Sequence, residues 1–189
     1  METSLKMNKI ASFLLVILFF GSPGAAAESG DLLQQGRKLF YTGVEQEADV
    51  RKAIDMFREI AESDSAMKGK ALTYIGASTA LLGKHARWPQ KKFEYVTEGI
   101  RLMERGIARS PEDLESLFIY ASTCHYLPFF FRKGDDARAA FERIVDLSLR
   151  NHEAYPDSLM RNAMEFIETN RNPGDDELER IQQVKARLN

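Results

Sequence analysis

The chain has 189 residues and a net charge of −2, a size at which one domain can bury a hydrophobic core. This charge balance argues against a nucleic-acid partner, because such a partner requires a clustered basic excess. Cys124 is the only cysteine, so no disulfide can form within the chain. We therefore expect residues 28–189 to fold as a single domain around an ordinary core, behind an N-terminal leader.

The N-terminal segment has the pattern of an export signal. Lys6 and Lys9 precede an apolar stretch at residues 10–20, and small residues end the segment at Ala27. The apolar stretch is shorter than the roughly 20 residues that span a bilayer. We therefore expect cleavage between Ala27 and Glu28, and a periplasmic protein without stable membrane insertion. An uncleaved membrane anchor is the alternative.

Beyond the leader, apolar residues recur at the period of an α-helix. Val50, Ile54, Phe57 and Ala61 illustrate the pattern, since steps of three and four residues place them on one helix face. Alternating apolar and polar residues, the signature of a half-buried strand, are missing. The predicted fold class is all-α. The predicted helices cover residues 30–42, 48–62, 66–82, 90–109, 111–126, 135–150, 156–170 and 175–188.

Capping residues mark where several of these helices begin and end. Ser110 offers a hydroxyl N-cap and Pro111 suits the first helical position, so a helix is predicted to begin there. Gly43, Gly83 and Gly134 are expected at helix ends or turns, because glycine commonly terminates a helix. The boundaries are therefore predicted from local capping chemistry as well as from the apolar period.

A spacing of large, small and large residues, four and then three positions apart, repeats along the chain. It occurs in one set of helices as Leu32-Gly36-Leu39, Leu72-Gly76-Thr79 and Leu117-Ala121-Cys124. A related spacing occurs in the alternate helices as Ala53-Phe57-Ile60, Ala137-Phe141-Ile144 and, more loosely, Gly99-Met103-Gly106. A small residue at a helix crossing allows close approach, and an aromatic ring fills the space beside it. The sequence therefore predicts helix pairs that stack repeatedly.

This pattern resembles the tetratricopeptide repeat, although the copies are unevenly spaced and lack the tryptophan of that family. The resemblance implies a short array of antiparallel helix pairs with extra C-terminal helices. It also implies a concave groove, lined by the first helix of each pair, that binds a protein or peptide. An unrelated helical bundle is the alternative. The residues placed on the groove side are Arg37, Thr73, Tyr74, Ala77, Ser122 and His125.

A second, shorter resemblance begins at residue 127. The residues Leu127-Pro128, Gly134-Asp135 and Ala137 with Phe141-Glu142 are similar to a run in the helical-repeat accessory component of tripartite (TRAP) periplasmic transporters. This resemblance implies a transporter-associated component that binds a small apolar or amphipathic ligand. The helices would then enclose an apolar cavity.

Residues that carry catalysis or bind metals do not occur in a recognisable pattern. His85, His125 and His152 lack the spacing of a zinc site. Cys124 and His125 are neighbours on a helix and point in different directions, so they cannot form a nucleophile–base pair. We expect Cys124 to be a buried core residue, with a reactive thiol as the alternative. The sequence predicts a protein that is not an enzyme and that has no metal and no cofactor.

Three consecutive rings, Phe129, Phe130 and Phe131, precede Arg132 in a predicted connection between helices. A helix or a strand could not bury all three rings on one face, so at least one is expected on the surface. Exposed aromatic side chains beside arginine are typical anchors of protein interfaces. The alternative is that the rings fold back and cap the ends of neighbouring helices.

A basic stretch at residues 84–92 surrounds Trp88, the only tryptophan of the chain. This stretch could receive an acidic peptide or a lipid headgroup, or it could be a solvated connection with Trp88 packed against the array. The sequence thus predicts a non-catalytic periplasmic module that mediates protein–protein or peptide interaction in an envelope complex. The predicted partner-binding residues are Tyr74, Arg87, Trp88, His125, Phe129, Phe130, Phe131 and Arg132.

Overall fold

A computed structural model describes residues 27–171 and 173–188. The predicted export signal lies outside these ranges, except for its last residue, Ala27. Every regular element within the ranges is helical, which confirms the predicted all-α fold class. In the same part of the chain, no helix is both long enough and apolar enough to cross a membrane.

Eight α-helices and two short 3-10 turns follow one another in this part of the chain. The helices are α1 (Ala27–Thr42), α2 (Glu47–Ser63), α3 (Lys68–His85), α4 (Pro89–Arg109), α5 (Leu114–Tyr126), α6 (Gly134–Arg150), α7 (Asp157–Arg171) and α8 (Asp175–Arg187). The 3-10 turns are Phe129–Phe131, before α6, and His152–Ala154, before α7. Each helix corresponds to one predicted from the apolar period, with its ends shifted by a few residues.

Two of the predicted helix ends are wrong, and the structure gives the reason in each case. Gly83 lies inside α3, where an added Cβ atom would come within 3.1 Å of the Val96 side chain. This glycine therefore permits the close approach of α4 and does not end a helix. α5 begins after Asp113 and not after Ser110, because the Asp113 carboxylate accepts a hydrogen bond from the Ser116 N–H at 3.0 Å.

The helices form four consecutive pairs: α1 with α2, α3 with α4, α5 with α6, and α7 with α8. Short connections join the two members of each pair, so the members run antiparallel. α3 also packs against α2 and α5, and α6 packs against α7 and α8, so each pair rests on the next. This packing is consistent with a repeat-like array, in which the two C-terminal helices form a fourth pair.

α3 and α4 approach each other so closely that their backbones touch. A Cβ atom at Gly76 would lie 2.6 Å from the Gly99 carbonyl oxygen and 2.6 Å from the Met103 backbone nitrogen. A Cβ atom at Gly106 would lie 2.7 Å from the Gly69 carbonyl oxygen. A carbon atom does not fit at these distances, so the crossing depends on the absence of side chains. The small residue of the repeat at position 76 thus lies at a helix crossing, as predicted.

The equivalent small residues of the other pairs are also buried. A Cβ atom at Gly36 in α1 would lie 2.8 Å from ring carbon Cε1 of Phe57 in α2. Phe57 is fully buried, and so is Ala121, the small residue of α5. In the first pair, the small and the aromatic residue of the repeated spacing therefore meet between the paired helices.

The connections that follow α1, α3 and α5 lie at one end of the array, as two contacts show. The Lys84 ammonium group, near the end of α3, donates to the Val44 carbonyl in the α1–α2 connection at 2.6 Å. The rings of Phe93 in α4 and Phe131 in the α5–α6 connection are also in contact. Residues that are distant in sequence therefore meet at this end, where the candidate site lies.

Candidate partner-binding surface

Four aromatic rings form a continuous row at this end of the array. The Phe93 and Phe131 rings are stacked, with centroids 5.2 Å apart and an angle of 18° between their planes. The Phe131 and Phe130 centroids are 4.8 Å apart, and the Phe130 and Phe129 centroids are 6.0 Å apart. All three spacings are those of favourable aromatic contacts. The row therefore connects the start of α4 with the 3-10 turn between α5 and α6.

The outer part of this row is open to solvent. Phe129 is 92% exposed, Phe130 is 54% exposed and Phe93 is 52% exposed, whereas Phe131 is half-buried. Trp88, at the N-cap of α4, is 72% exposed. In the described part of the chain, the large hydrophobic side chains that are exposed are Trp88, Phe93, Phe129 and Phe130. We call Trp88, Phe93, Phe129, Phe130 and Phe131 the aromatic surface, a candidate interaction site because exposed apolar groups concentrate there.

Local backbone geometry prevents the three consecutive rings from being buried together. The Phe131 N–H donates to the Pro128 carbonyl at 3.0 Å, and the Arg132 N–H donates to the Phe129 carbonyl at 2.9 Å. These bonds close a 3-10 turn, in which neighbouring side chains point about 120° apart. The expectation that at least one ring lies on the surface is therefore confirmed. The alternative, in which rings fold back onto the array, applies to Phe131 alone.

Three unpaired cations flank the aromatic surface. Arg87 and Lys92 are sequence neighbours of Trp88 and Phe93, and Arg132 directly follows the 3-10 turn. None of these three cations forms an ion pair within residues 27–171 and 173–188. Other cations nearby are neutralised within the protein, as the ion pair of Lys91 with Glu94 at 2.5 Å shows. The positive charge left beside the rings is therefore available to an external anion.

The structure unites two segments that the sequence analysis treated separately, and it adds Phe93. Arg87 and Trp88 directly precede α4, and the ring of Phe93 in the first turns of α4 stacks on Phe131 of the Phe129–Phe131 turn. The expectation that Trp88 packs against the array is wrong, because Trp88 is 72% exposed at the N-cap of α4. The sequence signal for Phe93 is weak, because Phe93 is a single ring between the charged residues Lys92 and Glu94 on α4.

A second set of predicted residues lies in the interior. Arg37 in α1 donates to both carboxylate oxygens of Glu115 in α5, from Nη2 at 2.6 Å and from Nε at 2.8 Å. Lys70 in α3 donates to the same carboxylate at 2.9 Å, and the Tyr74 hydroxyl also donates to it. We call Arg37, Lys70, Tyr74 and Glu115 the ionic cluster. It joins the first helices of three successive pairs.

The prediction that Tyr74 contacts a partner is wrong, because its ring is fully buried. It stacks on Phe57 with centroids 4.5 Å apart and meets Phe40 edge-on at 5.7 Å. Its hydroxyl group is satisfied by Glu115, and the Arg37 side chain is only 14% exposed. Arg37 and Tyr74, both predicted to line a groove, therefore contact other residues of the protein.

Three more of the residues predicted to line a groove are also interior. Thr73 is fully buried at the α3–α4 crossing, and Ala77 and Ser122 are buried as well. The reason is that α5 is covered on more than one side: α3 packs against it, and Phe166 of α7 meets Phe118 of α5 at 5.6 Å. The first helices of the pairs thus use these faces to pack against their neighbours.

Burial and neighbouring charges act in opposite directions on Glu115. Burial by itself raises the pKa of the carboxyl group, but the charges of Lys70 and Arg37 lower it more. Hydrogen bonds from Arg37 and Tyr74 add to this effect, and the resulting pKa is about 2. The carboxylate is therefore charged at neutral pH and fully engaged by its partners. Such an arrangement suits a structural ion pair better than a general acid or base.

Cys124 is buried, as the sequence predicts. Burial raises the pKa of its thiol to about 12, so the reactive thiolate form is scarce at neutral pH. This result favours the core interpretation over a reactive thiol.

His125 is half-buried and lines a half-open pocket of about 450 Å³. The pocket walls also carry Arg138, Glu142, Arg171 and Glu177, and Arg171 pairs with Glu177 at 2.7 Å. Burial and the charge of Arg171 lower the pKa of His125. These charged walls do not suit a small apolar ligand, one of the two ligand types of the transporter alternative, because apolar ligands bind in mainly apolar cavities; an amphipathic ligand stays an untested prediction.

No three His, Cys, Asp or Glu side chains in the described ranges are grouped so that they could hold a metal ion. Compared with the models of known protein families, with curated proteins and with solved structures, the chain matches none. Its function must therefore be argued from the aromatic surface and the ionic cluster themselves.

Proposed function

We propose that this chain is a non-catalytic, tetratricopeptide-like module of the periplasm that binds a protein or peptide partner in an envelope complex. The observation that carries the proposal is the concentration of exposed rings at one end of the array. Water-exposed apolar surface of this kind gains free energy when a partner covers it. The aromatic surface is therefore the site to which we assign partner binding.

The geometry of the rings suits an interface anchor. Phe129 is 92% exposed, and full burial of such a side chain against a partner is worth about 1.5–3 kcal/mol. Phe130 lies between the rings of Phe129 and Phe131, so it loses little conformational freedom when a partner binds. Aromatic residues with arginine nearby are also the residues that dominate measured binding energies at interfaces.

Two further features support the proposal. The repeated small residues Gly36 and Gly76 face their partner helices, which favours tetratricopeptide-like pairing over an unrelated bundle. Lys6, Lys9 and the apolar stretch at residues 10–20 favour export to the periplasm. The uneven repeat spacing is compatible with this proposal, because connections between helices can vary in length without changing how the pairs pack.

Photo-crosslinking in the producing cells tests partner binding. The photoreactive residue benzoylphenylalanine, placed at Phe129 or Phe130, retains an aromatic side chain at the aromatic surface. The same residue at Glu62, which is exposed on α2, is the matched control. We expect a discrete protein adduct from both positions of the aromatic surface and none from position 62. Equal adducts at all three positions, or none at any of them, would refute partner binding through this surface.

A further inference from the structure

Arg132 has a backbone conformation that its side chain disfavours. Its φ and ψ are 55° and 38°, in the left-handed region, and it is the one non-glycine residue with positive φ in the described part of the chain. In this region the Cβ atom crowds the following carbonyl oxygen, so glycine or asparagine usually occupies it. An arginine at this position therefore makes the fold less stable than a glycine would.

Contacts within the protein do not offset this cost. The Arg132 side chain is exposed and forms no ion pair within the ranges that the structure describes. By contrast, the next residue, Lys133, pairs with Glu104 at 2.7 Å and with Asp136 at 2.6 Å. A disfavoured conformation without an internal benefit is a reason to look for a role in binding.

The position of Arg132 indicates the chemistry of what it binds. Its N–H donates to the Phe129 carbonyl at 2.9 Å, so Arg132 closes the 3-10 turn that carries Phe129, Phe130 and Phe131. Arg87 and Lys92 place two more unpaired cations beside the rings at the start of α4. An occupant that complements this end of the array must therefore present both apolar groups and negative charge.

We infer that Arg132 determines specificity for an acidic amphipathic protein segment, one that presents carboxylates beside its apolar side chains. The inference rests on the proposed partner binding by the aromatic surface. Asp135 and Asp136 pair with Arg138 and Lys133, so they do not neutralise Arg132. A guanidinium group binds a carboxylate through two parallel hydrogen bonds, which gives the contact a directional preference that lysine lacks.

Two synthetic peptides with the same apolar face test the inference. Both carry leucine at helical spacing, and their remaining positions are glutamate in one peptide and lysine in the other. Fluorescence anisotropy measures their binding to the full-length purified protein. We expect the glutamate peptide to bind about tenfold more tightly, equivalent to about 1.4 kcal/mol. Its affinity should fall as salt is added, because the contacts are solvent-exposed.

The variant Arg132→Gly separates binding from folding. Glycine suits the left-handed backbone, so we expect the variant to melt at the same temperature or higher. Its affinity for the glutamate peptide should fall about tenfold. The affinity of Arg132→Lys should lie between those of the wild type and Arg132→Gly, because lysine retains the charge but not the planar contact. Lys38→Ala removes an exposed cation on α1 and is the matched control, which should leave the affinity unchanged.

Several results would overturn the inference. Equal binding of both peptides, or an affinity that Arg132→Gly does not change, would show that apolar contacts alone select the partner. In either case, partner binding through the aromatic surface would still stand. If neither peptide bound but photo-crosslinking gave a protein adduct, the inference would be wrong and partner binding would again stand. If the protein bound phosphatidylglycerol vesicles through the same rings and gave no protein adduct, both the inference and the proposed function would be wrong.

Discussion

The ionic cluster and the aromatic surface reverse the usual positions of charged and apolar groups. The Glu115 side chain is 5% exposed and contacts two cations, whereas the Phe129 side chain is 92% exposed. A buried charge is stable only when it is paired, and an exposed ring is stabilised only when something covers it. The protein meets the first condition by itself, through Arg37 and Lys70, but not the second. This difference is the reason to propose that the cluster serves folding and that the aromatic surface serves binding.

Removing the charge of Glu115 should have the largest effect on stability. Glu115→Gln removes the buried carboxylate that contacts both Arg37 and Lys70, although Lys70 keeps its contact with Asp113 at 3.1 Å, and breaking a buried pair costs about 3–5 kcal/mol. Urea unfolding followed by circular dichroism measures the loss. Glu112→Gln, at an exposed position just before α5, is the control and should change stability by less than about 0.5 kcal/mol. A similar small loss in both variants would show that the cluster does not hold the fold.

The same cluster should make stability depend on pH. The pKa of Glu115 is about 2 in the folded protein and 4.5 ordinarily, so its contribution is complete above pH 4.5. This contribution, on the order of 3 kcal/mol, is lost as the pH falls from 4.5 toward 2. Urea unfolding repeated across this range should show a shallower pH dependence for Glu115→Gln than for the wild type. Parallel curves would mean that Glu115 does not titrate as its surroundings imply.

A methyl group at the α3–α4 crossing should have the next largest effect. Gly76→Ala places a Cβ atom 2.6 Å from the Gly99 carbonyl oxygen, so the helices must separate. Overpacking costs about 1–3 kcal/mol, which exceeds the gain of about 1 kcal/mol in helix propensity. Gly134→Ala is the control, since nothing lies within 4 Å of the added atom. Equal melting temperatures for the two variants would show that the α3–α4 packing described above is wrong.

Changes to the aromatic surface should affect stability least. Phe129→Ser combined with Phe130→Ser removes two exposed rings, and we expect a change within about 0.5 kcal/mol in urea unfolding. Phe131→Ser should cost more, about 1 kcal/mol, because that ring is half-buried and stacks on Phe93. If the double variant instead unfolds as readily as Glu115→Gln, the rings hold the array and the contrast between the two regions disappears.

Much of the fold could be predicted because its signals are local. The apolar period placed each helix, with its ends shifted by a few residues. The small residues at positions 36 and 76 were identified as crossing points from spacing alone, and both lie at crossings. The boundary error at Gly83 arose where a contact with α4 overrode the local signal, whereas the error at Ser110 arose because a second local cap, Asp113, is the one used.

The candidate site was only partly predictable, because its chemistry depends on distant contacts. The sequence by itself determined that three consecutive rings in a short connection cannot all be buried. Only the tertiary structure decided that Tyr74 is interior, since its partner Glu115 lies on another helix, 41 residues away. Only the tertiary structure joined Phe93 to Phe131 across two connections. Periodicity shows which face of a helix is apolar, but the stacking of whole helices decides which polar groups are enclosed and which rings remain in water.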